Sequence, residues 1–235
     1  MSLLIILLII TACKFTTMTG IHIKAHFNPS NNLNYPRIRM AETLSSLQQF
    51  TICSWLKLYS TNNDMLTVIS YATLKSDNQI VITLNKYHSD RLVRFHIGDP
   101  YLEFKCNYDW VPGQWYYLCA SWFSATATAK VYQNGQSCTF TRSHLNYPKT
   151  PLPSGGILVI GQEQDALDSK YDANQAWHGD IADVHIWDEE LSPNQIFEAG
   201  QCKGGRKEGN VFSWMKSKII VTDNVEFSET ELCYS

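Results

Sequence analysis

From about Phe50 to Trp187 the chain is a succession of short β-branched and aromatic runs separated by Gly, Pro, Asn and Asp. That pattern confines it to an all-β sandwich or barrel, because periodic helical faces would need longer uninterrupted runs. Phe50, Ile52, Leu56 and Leu58 share one parity of Phe50–Tyr59, which predicts a strand with one buried face. Gln79–Leu84, Leu92–Ile97, Tyr101–Cys106 and Trp115–Trp122 read as further strands. Lys130–Gln133 and Gln136–Phe140 flank Asn134-Gly135, a strong two-residue hairpin signal. One helix is expected: Ser192 caps it, Pro193 takes the first helical position and Gly200 closes it. Lys218–Thr222 reads as a strand in the tail. No internal repeat or composition break divides this stretch, so a single domain is the simpler organisation.

Charged residues make up 17 % of the 235 residues, below the roughly 25 % of an average soluble domain, while 44 % are hydrophobic. A packed core is therefore expected. The net charge of -3 offers no basic stripe, so nothing in the sequence requires a nucleic-acid partner. The apolar run Leu3–Ile10 is too short to span a bilayer but suits the hydrophobic region of a secretory signal. Residues 1–20 are expected to be that signal and 21–235 the mature domain, with no membrane span and an extracellular location. Cys13 falls in the signal; Cys53, Cys106, Cys119, Cys138, Cys202 and Cys233 remain. An even number in an exported chain suggests up to three disulfides, and spacing alone leaves their pairing open. The absence of Cys-x-x-Cys and of close Cys/His clusters argues against zinc.

The chemically unusual segment is Gly161–Gln175, GQEQDALDSKYDANQ. It gathers Glu163, Gln164, Asp165, Asp168, Asp172, Asn174 and Gln175 with Lys170 as its single base. Hard cations such as calcium want six to eight oxygens from carboxylates, amides and backbone, and this loop supplies that donor type. It lacks the residue order of an EF-hand. A solvated surface loop has a similar composition, so composition leaves both readings open.

Four ordered blocks break the tie. FTICSWLKLYS from Phe50, SYATLKSDNQI from Ser70, YLCASW from Tyr117 and GQEQDALDSKYDANQ from Gly161, followed by GDIADVHIWDEELSP from Gly179, resemble the pentraxins over nearly all of the mature length. This is the family of C-reactive protein and serum amyloid P component. Its His-x-Cys-x-Ser/Thr-Trp signature departs here at the first position, which is Tyr117. The resemblance implies a two-sheet antiparallel jelly-roll sandwich, lectin-like, with one short helix. It implies a disulfide between Cys53 and Cys119; the pairs 106/138 and 202/233 are the further expectation for the remaining cysteines.

The resemblance also implies two calcium ions side by side. Asp77, Asn78, Glu163, the main-chain carbonyl of Gln164 and Asp165 would hold one, and Glu163, Asp165, Asp172 and Gln175 the other. Open positions on such ions would accept oxygens of phosphorylated small molecules, phospholipid headgroups or glycans. Thr83 stands where C-reactive protein packs an aromatic on choline methyls, and the acidic partner falls near Tyr101. The choline-binding pattern is thus broken at these two positions, and phosphoethanolamine, acidic polysaccharide or another glycan fits at least as well as phosphocholine. His96, Tyr87 and Tyr101 join Thr83 as candidate ligand contacts. A cyclic homo-oligomer, commonly of five subunits, is implied, with the Pro193 helix on the opposite face.

An enzyme is the competing class, since similar sandwiches carry glycoside hydrolases that use two opposed carboxylates. No Glu-x-Asp-x-x-Glu strand, GxSxG, HExxH or phosphate loop is present. His178 and Asp180 alternate with Asp183 and His185, but strand parity puts the two pairs on opposite patterns and argues against one shared site. A structural or adhesive module stiffened by calcium is the other alternative.

Overall fold

A computed structural model describes residues 22–31, 33–59, 63–143, 149–201 and 207–232. The expected signal segment, Cys202 and Cys233 lie outside them. In chain order the elements are β1 (His22–Phe27), β2 (Arg37–Met40), β3 (Gln49–Leu58), β4 (Met65–Ala72), β5 (Ile80–Tyr87), β6 (Asp90–His96), β7 (Tyr101–Lys105) and β8 (Tyr116–Phe123). Then follow β9 (Thr128–Gln133), β10 (Gln136–Ser137), β11 (Thr139–Ser143), β12 (Ile157–Ile160), β13 (Gly179–Trp187), α1 (Pro193–Ala199), β14 (Phe212–Ser213), β15 (Ile219–Thr222) and β16 (Val225–Thr230). The first sheet runs β10-β9-β8-β3-β13-β1-β16, with β14 also on β13. The second runs β11-β7-β6-β5-β4-β12-β2-β15. Adjacent strands are antiparallel throughout, as the resemblance implied.

The alternate residues of the two sheets meet in one apolar core that contains Phe27, Phe50, Trp122, Phe95 and Trp177. The Phe50 and Phe95 rings touch edge-on across it, centroids 6.2 Å apart. The one-faced reading of Phe50–Leu58 needs correction. β3 is central, and its other face is buried as well, because Cys53, Trp55, Tyr117 and Trp187 form a second apolar cluster roofed by Ile196 and Ala199 of α1. The roof is held by a capping box, with Ser192 Oγ accepting from Gln195 N and Gln195 Oε1 accepting from Ser192 N at 2.8 Å.

The expected Gln136–Phe140 strand is divided. Gln136–Ser137 pairs with β9, then the chain changes sheets at Cys138 and Thr139 onward pairs with β7. Cys138 is bonded to Cys106 at the end of β7, which fixes the crossing point. Cys53 is bonded to Cys119 between β3 and β8. Closing loops of 66 and 32 residues is worth about 4 kcal/mol each on the chain-entropy account.

Candidate functional site

The acidic segment leaves β12 at Gly161 and re-enters the first sheet at Gly179. Both glycines are demanded by crowding. Gly161 has φ +88, and a Cβ there would lie 2.4 Å from the Phe27 ring. At Gly179, φ is +140 and a Cβ would meet Lys57 O at 2.1 Å. The neck is tied by Trp177 N donating to Gly161 O at 2.9 Å.

The segment folds back over the outer face of the second sheet. Thr67 N on β4 donates to Gln175 O at 2.9 Å. Ser70 Oγ donates to Gln162 O at 2.9 Å and accepts from Gln164 Nε2 at 3.0 Å. Gln164 Nε2 also donates to Ile157 O at 3.1 Å, while its Oε1 accepts from Asp168 N at 2.9 Å. Gln162 Nε2 reaches Ser30 Oγ and Pro36 O. Beyond them, Arg39 Nη1 holds Asp168 Oδ2 at 2.5 Å, Tyr171 donates to Asp168 Oδ1, and Arg37 lies 4.5 Å over the Tyr171 ring. The clamps to Ser30, Pro36, Arg37, Arg39, Thr67 and Ser70 were invisible in the sequence, because they join residues 92 to 134 positions apart.

This folding brings the acidic side chains onto one another. Glu163 is buried, and among the described residues its Oε2 has no hydrogen-bond donor; Gln175 Oε1 is a second buried oxygen without one. Burial first, then the charge and hydrogen bond of Asp165, then the charges of Asp77 and Asp172, push the Glu163 carboxyl up to about 8. Asn78 Nδ2 donates to Asp77 Oδ1, and Asn174 donates twice to Asp172 Oδ1. Because the Gln164 side chain is wholly engaged in its clamp, its main-chain carbonyl is the oxygen it has to offer. Among the described residues no three carboxylate, imidazole or thiolate groups already close around one point. The donor set is all hard oxygen and strongly anionic, with two buried acceptors short of a positive partner, which fits a divalent cation of the calcium type.

The candidate ligand contacts divide. Thr83 is fully buried opposite Thr67, and its hydroxyl donates to Asn85 Oδ1 at 2.5 Å. His96 and Tyr101 are register partners with rings 5.2 Å apart, on the outward parity shared by Thr83 and Arg94. Tyr87 is half-exposed against His88 at the far end of β5, about 30 Å of strand from Asp77. Sequence reasoning missed Arg94 and Glu103 between them. Arg94 Nη2 meets Glu103 Oε1 at 2.7 Å, and its guanidinium lies 4.1 Å over Tyr101.

The His/Asp stretch requires another correction. Asp183 sits at φ +53 in a bulge of β13 between Ala182 and His185. The extra residue resets the alternation, so Asp180, Ala182 and His185 all pair with the outward residues Lys57, Trp55 and Cys53. They still form separate groups. His185 Nε2 contacts Asp183 Oδ1 at 3.2 Å. Asp180 instead receives Lys24 Nζ at 2.6 Å, His26 Nδ1 at 2.7 Å and Tyr59 OH at 2.9 Å. Burial alone would raise the Asp180 carboxyl, but these three hydrogen bonds outweigh it and hold it below its ordinary value.

The Pentaxin family profile matches residues 24–228. The chain belongs to the pentraxin family. C-reactive protein 1.4 of Limulus polyphemus is 32 % identical over 216 residues, covering 89 % of this chain and 86 % of the relative. C-reactive protein of Mesocricetus auratus is 33 % identical over 185 residues, covering 79 % of this pentraxin and 78 % of the relative. Among solved structures, a native heptameric SAP-like pentraxin from Limulus polyphemus superposes with TM-score 0.81 at 28 % identity, covering 90 % of this chain and 97 % of that one. The jelly-roll sandwich with one short helix is thus this pentraxin's fold.

Proposed function

We propose that this pentraxin is a secreted recognition protein that binds phosphate-bearing or glycan ligands through two adjacent calcium ions per subunit. The observation that carries the reading is the pair of buried, donorless oxygens, Glu163 Oε2 and Gln175 Oε1, in an acidic loop clamped to β4. Asp77, Asn78, Glu163, Asp165 and the Gln164 carbonyl would hold one ion, with Glu163, Asp165, Asp172 and Gln175 holding the other. When bound, the ions supply exposed positive charge and open positions for a phosphate, carboxylate or sugar oxygen. The chain's own part is to fix the rest of the ligand: Arg94, His96 and Tyr101 present a polar, partly cationic wall on the same sheet face. With Thr83 buried and Glu103 paired to Arg94, nothing on this wall is set to receive a quaternary ammonium, so phosphoethanolamine and acidic or neutral glycans are favoured over phosphocholine.

Binding rather than catalysis is the reading. Asp180, the buried carboxylate of the His/Asp stretch, is held by three donors instead of facing a second acid across a cleft. Export is supported by the two disulfides, and no helix of the described residues is long and apolar enough to cross a membrane. A cyclic homo-oligomer would align many such sites for avidity. The test is retention of the full chain on phosphoethanolamine beads in millimolar calcium, with calorimetry counting the ions. Release by chelator and two ions per subunit are expected; retention that ignores chelator, or no calcium uptake, overturns the reading. Calcium uptake without retention on phosphoethanolamine or glycan beads would make the ions purely structural.

A further inference from the structure

On the far side of the sandwich from the acidic loop lies a groove of about 630 Å³, between α1, the β9–β10 turn and the segment before β8. Its size falls within the range of small-ligand sites, roughly 300–1,000 Å³. Trp55 forms its floor, and Trp115, Tyr108 and Phe197 present rings around it. Phe197, 51 % exposed, is set in place by the β9–β10 turn, where a Cβ on Gly135 would lie 2.9 Å from its ring.

Amides alternate with these rings and are organised before any ligand arrives. Asn107 Nδ2 donates to Gln136 Oε1 at 2.9 Å, and Gln136 Nε2 donates to the Tyr108 hydroxyl at 3.0 Å. Tyr116 OH donates to Asp109 O at 2.7 Å, with the Gln114 amide 3.1 Å from the same hydroxyl, and Asn134 Oδ1 accepts from Tyr117 N at 2.8 Å. Those bonds leave Asn107 Oδ1, Asn134 Nδ2 and the Tyr108 hydroxyl hydrogen without a protein partner among the described residues. The groove therefore offers both donors and acceptors beside aromatic faces, with Asp109 as its one charged lining residue.

We infer that this groove is a second, metal-independent binding site for a neutral oligosaccharide. A pyranose has one face of weakly positive C–H groups that packs on the negative face of an aromatic ring, and a rim of hydroxyls that both donate and accept. An anionic ligand would meet Asp109 in the lining, and the cation beside the groove, Lys57 Nζ, is 5.8 Å over the Trp115 ring and not among the lining residues. A purely apolar ligand would strand the three open polar groups. The site is independent of the calcium face and stands or falls separately from it.

The test uses the full chain in excess EDTA, which removes the calcium-dependent face, with chitotriose, cellotriose, maltotriose and mannotriose as probes. Saturable binding of at least one is expected by saturation-transfer NMR and tryptophan fluorescence. Trp115→Ala and Phe197→Ala should each weaken it about tenfold. Gln136→Ala, on an exposed residue, should weaken it severalfold, with thermal melting by circular dichroism showing that all three variants fold. Absence of binding by all four sugars overturns the inference, and so does wild-type affinity in the folded Phe197→Ala and Gln136→Ala proteins.

Discussion

Thr67 and Gln175, 108 positions apart in the chain, are joined backbone to backbone, Thr67 N donating to Gln175 O at 2.9 Å. The loop's Glu163, Asp165 and Asp172, crowded against one another and against Asp77, are in this way held to a rigid strand, so the oxygens cannot simply swing apart. Gln162, Gln164 and Ser70 complete the clamp one pleat further along β4.

Ser70→Ala removes the hydroxyl that bridges Gln162 O and Gln164 Nε2. Stability should fall by about 1–2 kcal/mol in urea denaturation, since two buried polar groups each lose a partner. Calcium affinity, read by calorimetry, should fall with it because the Gln164 carbonyl is no longer fixed. Unchanged calcium affinity in the variant would mean that the clamp does not organise the site.

Glu163→Gln should show opposite signs with and without calcium. In EDTA the variant removes the cost of burying an ionisable carboxyl beside Asp165, Asp77 and Asp172, raising the melting temperature by about 2–4 °C. In calcium it should lose most of the metal-dependent rise in melting temperature, because a shared ligand is gone. Parallel shifts in both conditions would contradict a cation site at Glu163.

His96 makes stability fall in mild acid. Burial first, then the Arg94 charge, lower its imidazole to about 4 from 6.5, partly offset by a backbone hydrogen bond at Asp99. Tyr101 and the paired Glu103 are the other titratable groups facing it from β7. Between pH 6.5 and about 4 the unfolded chain takes up a proton that the native chain refuses, so stability is lost as pH falls through that window. The loss attributable to His96 is at most about 3 kcal/mol. His96→Gln should flatten the urea-derived stability profile over that window; an identical slope in both proteins would refute the assignment.

The two edges of the sandwich expose residues of core parity. Val221 lies opposite Ile38 and Phe227 opposite Ala25, yet they are 42 % and 43 % exposed. At the other edge Phe140 pairs with Phe104 and is 51 % exposed. Two different apolar edges suit a head-to-tail contact, the kind that closes into a ring. Val221→Lys should reduce the mass measured by light scattering from oligomer to single chain with the circular dichroism spectrum unchanged. An unaltered oligomer mass would place the contact elsewhere.

Strands β3, β5 to β9 and β15, the capped helix and the oxygen-rich loop were legible in the residues themselves, because alternation, turn chemistry and capping are local properties of consecutive side chains; β1, β2, β4, β12, β13 and β16 were not read from them. The resemblance supplied the order of the blocks and hence the expected ligand set. Legibility stopped where pairing between distant strands decides the outcome. The bulge at Asp183 that moves His185 to the face of Asp180, and the change of sheet at Cys138, arise from register and crossing points that no run of neighbours encodes. Likewise the roofing of Trp55 by α1, the seizure of the Gln164 side chain and the Arg94–Glu103 pair exist only once strands pair and the helix and loop fold onto the sheets. Residue order thus determined which elements form and which oxygens are on offer. Packing determined which faces are buried and which of those oxygens remain unsatisfied, since burial and hydrogen-bond satisfaction are properties of the closed structure and not of the chain.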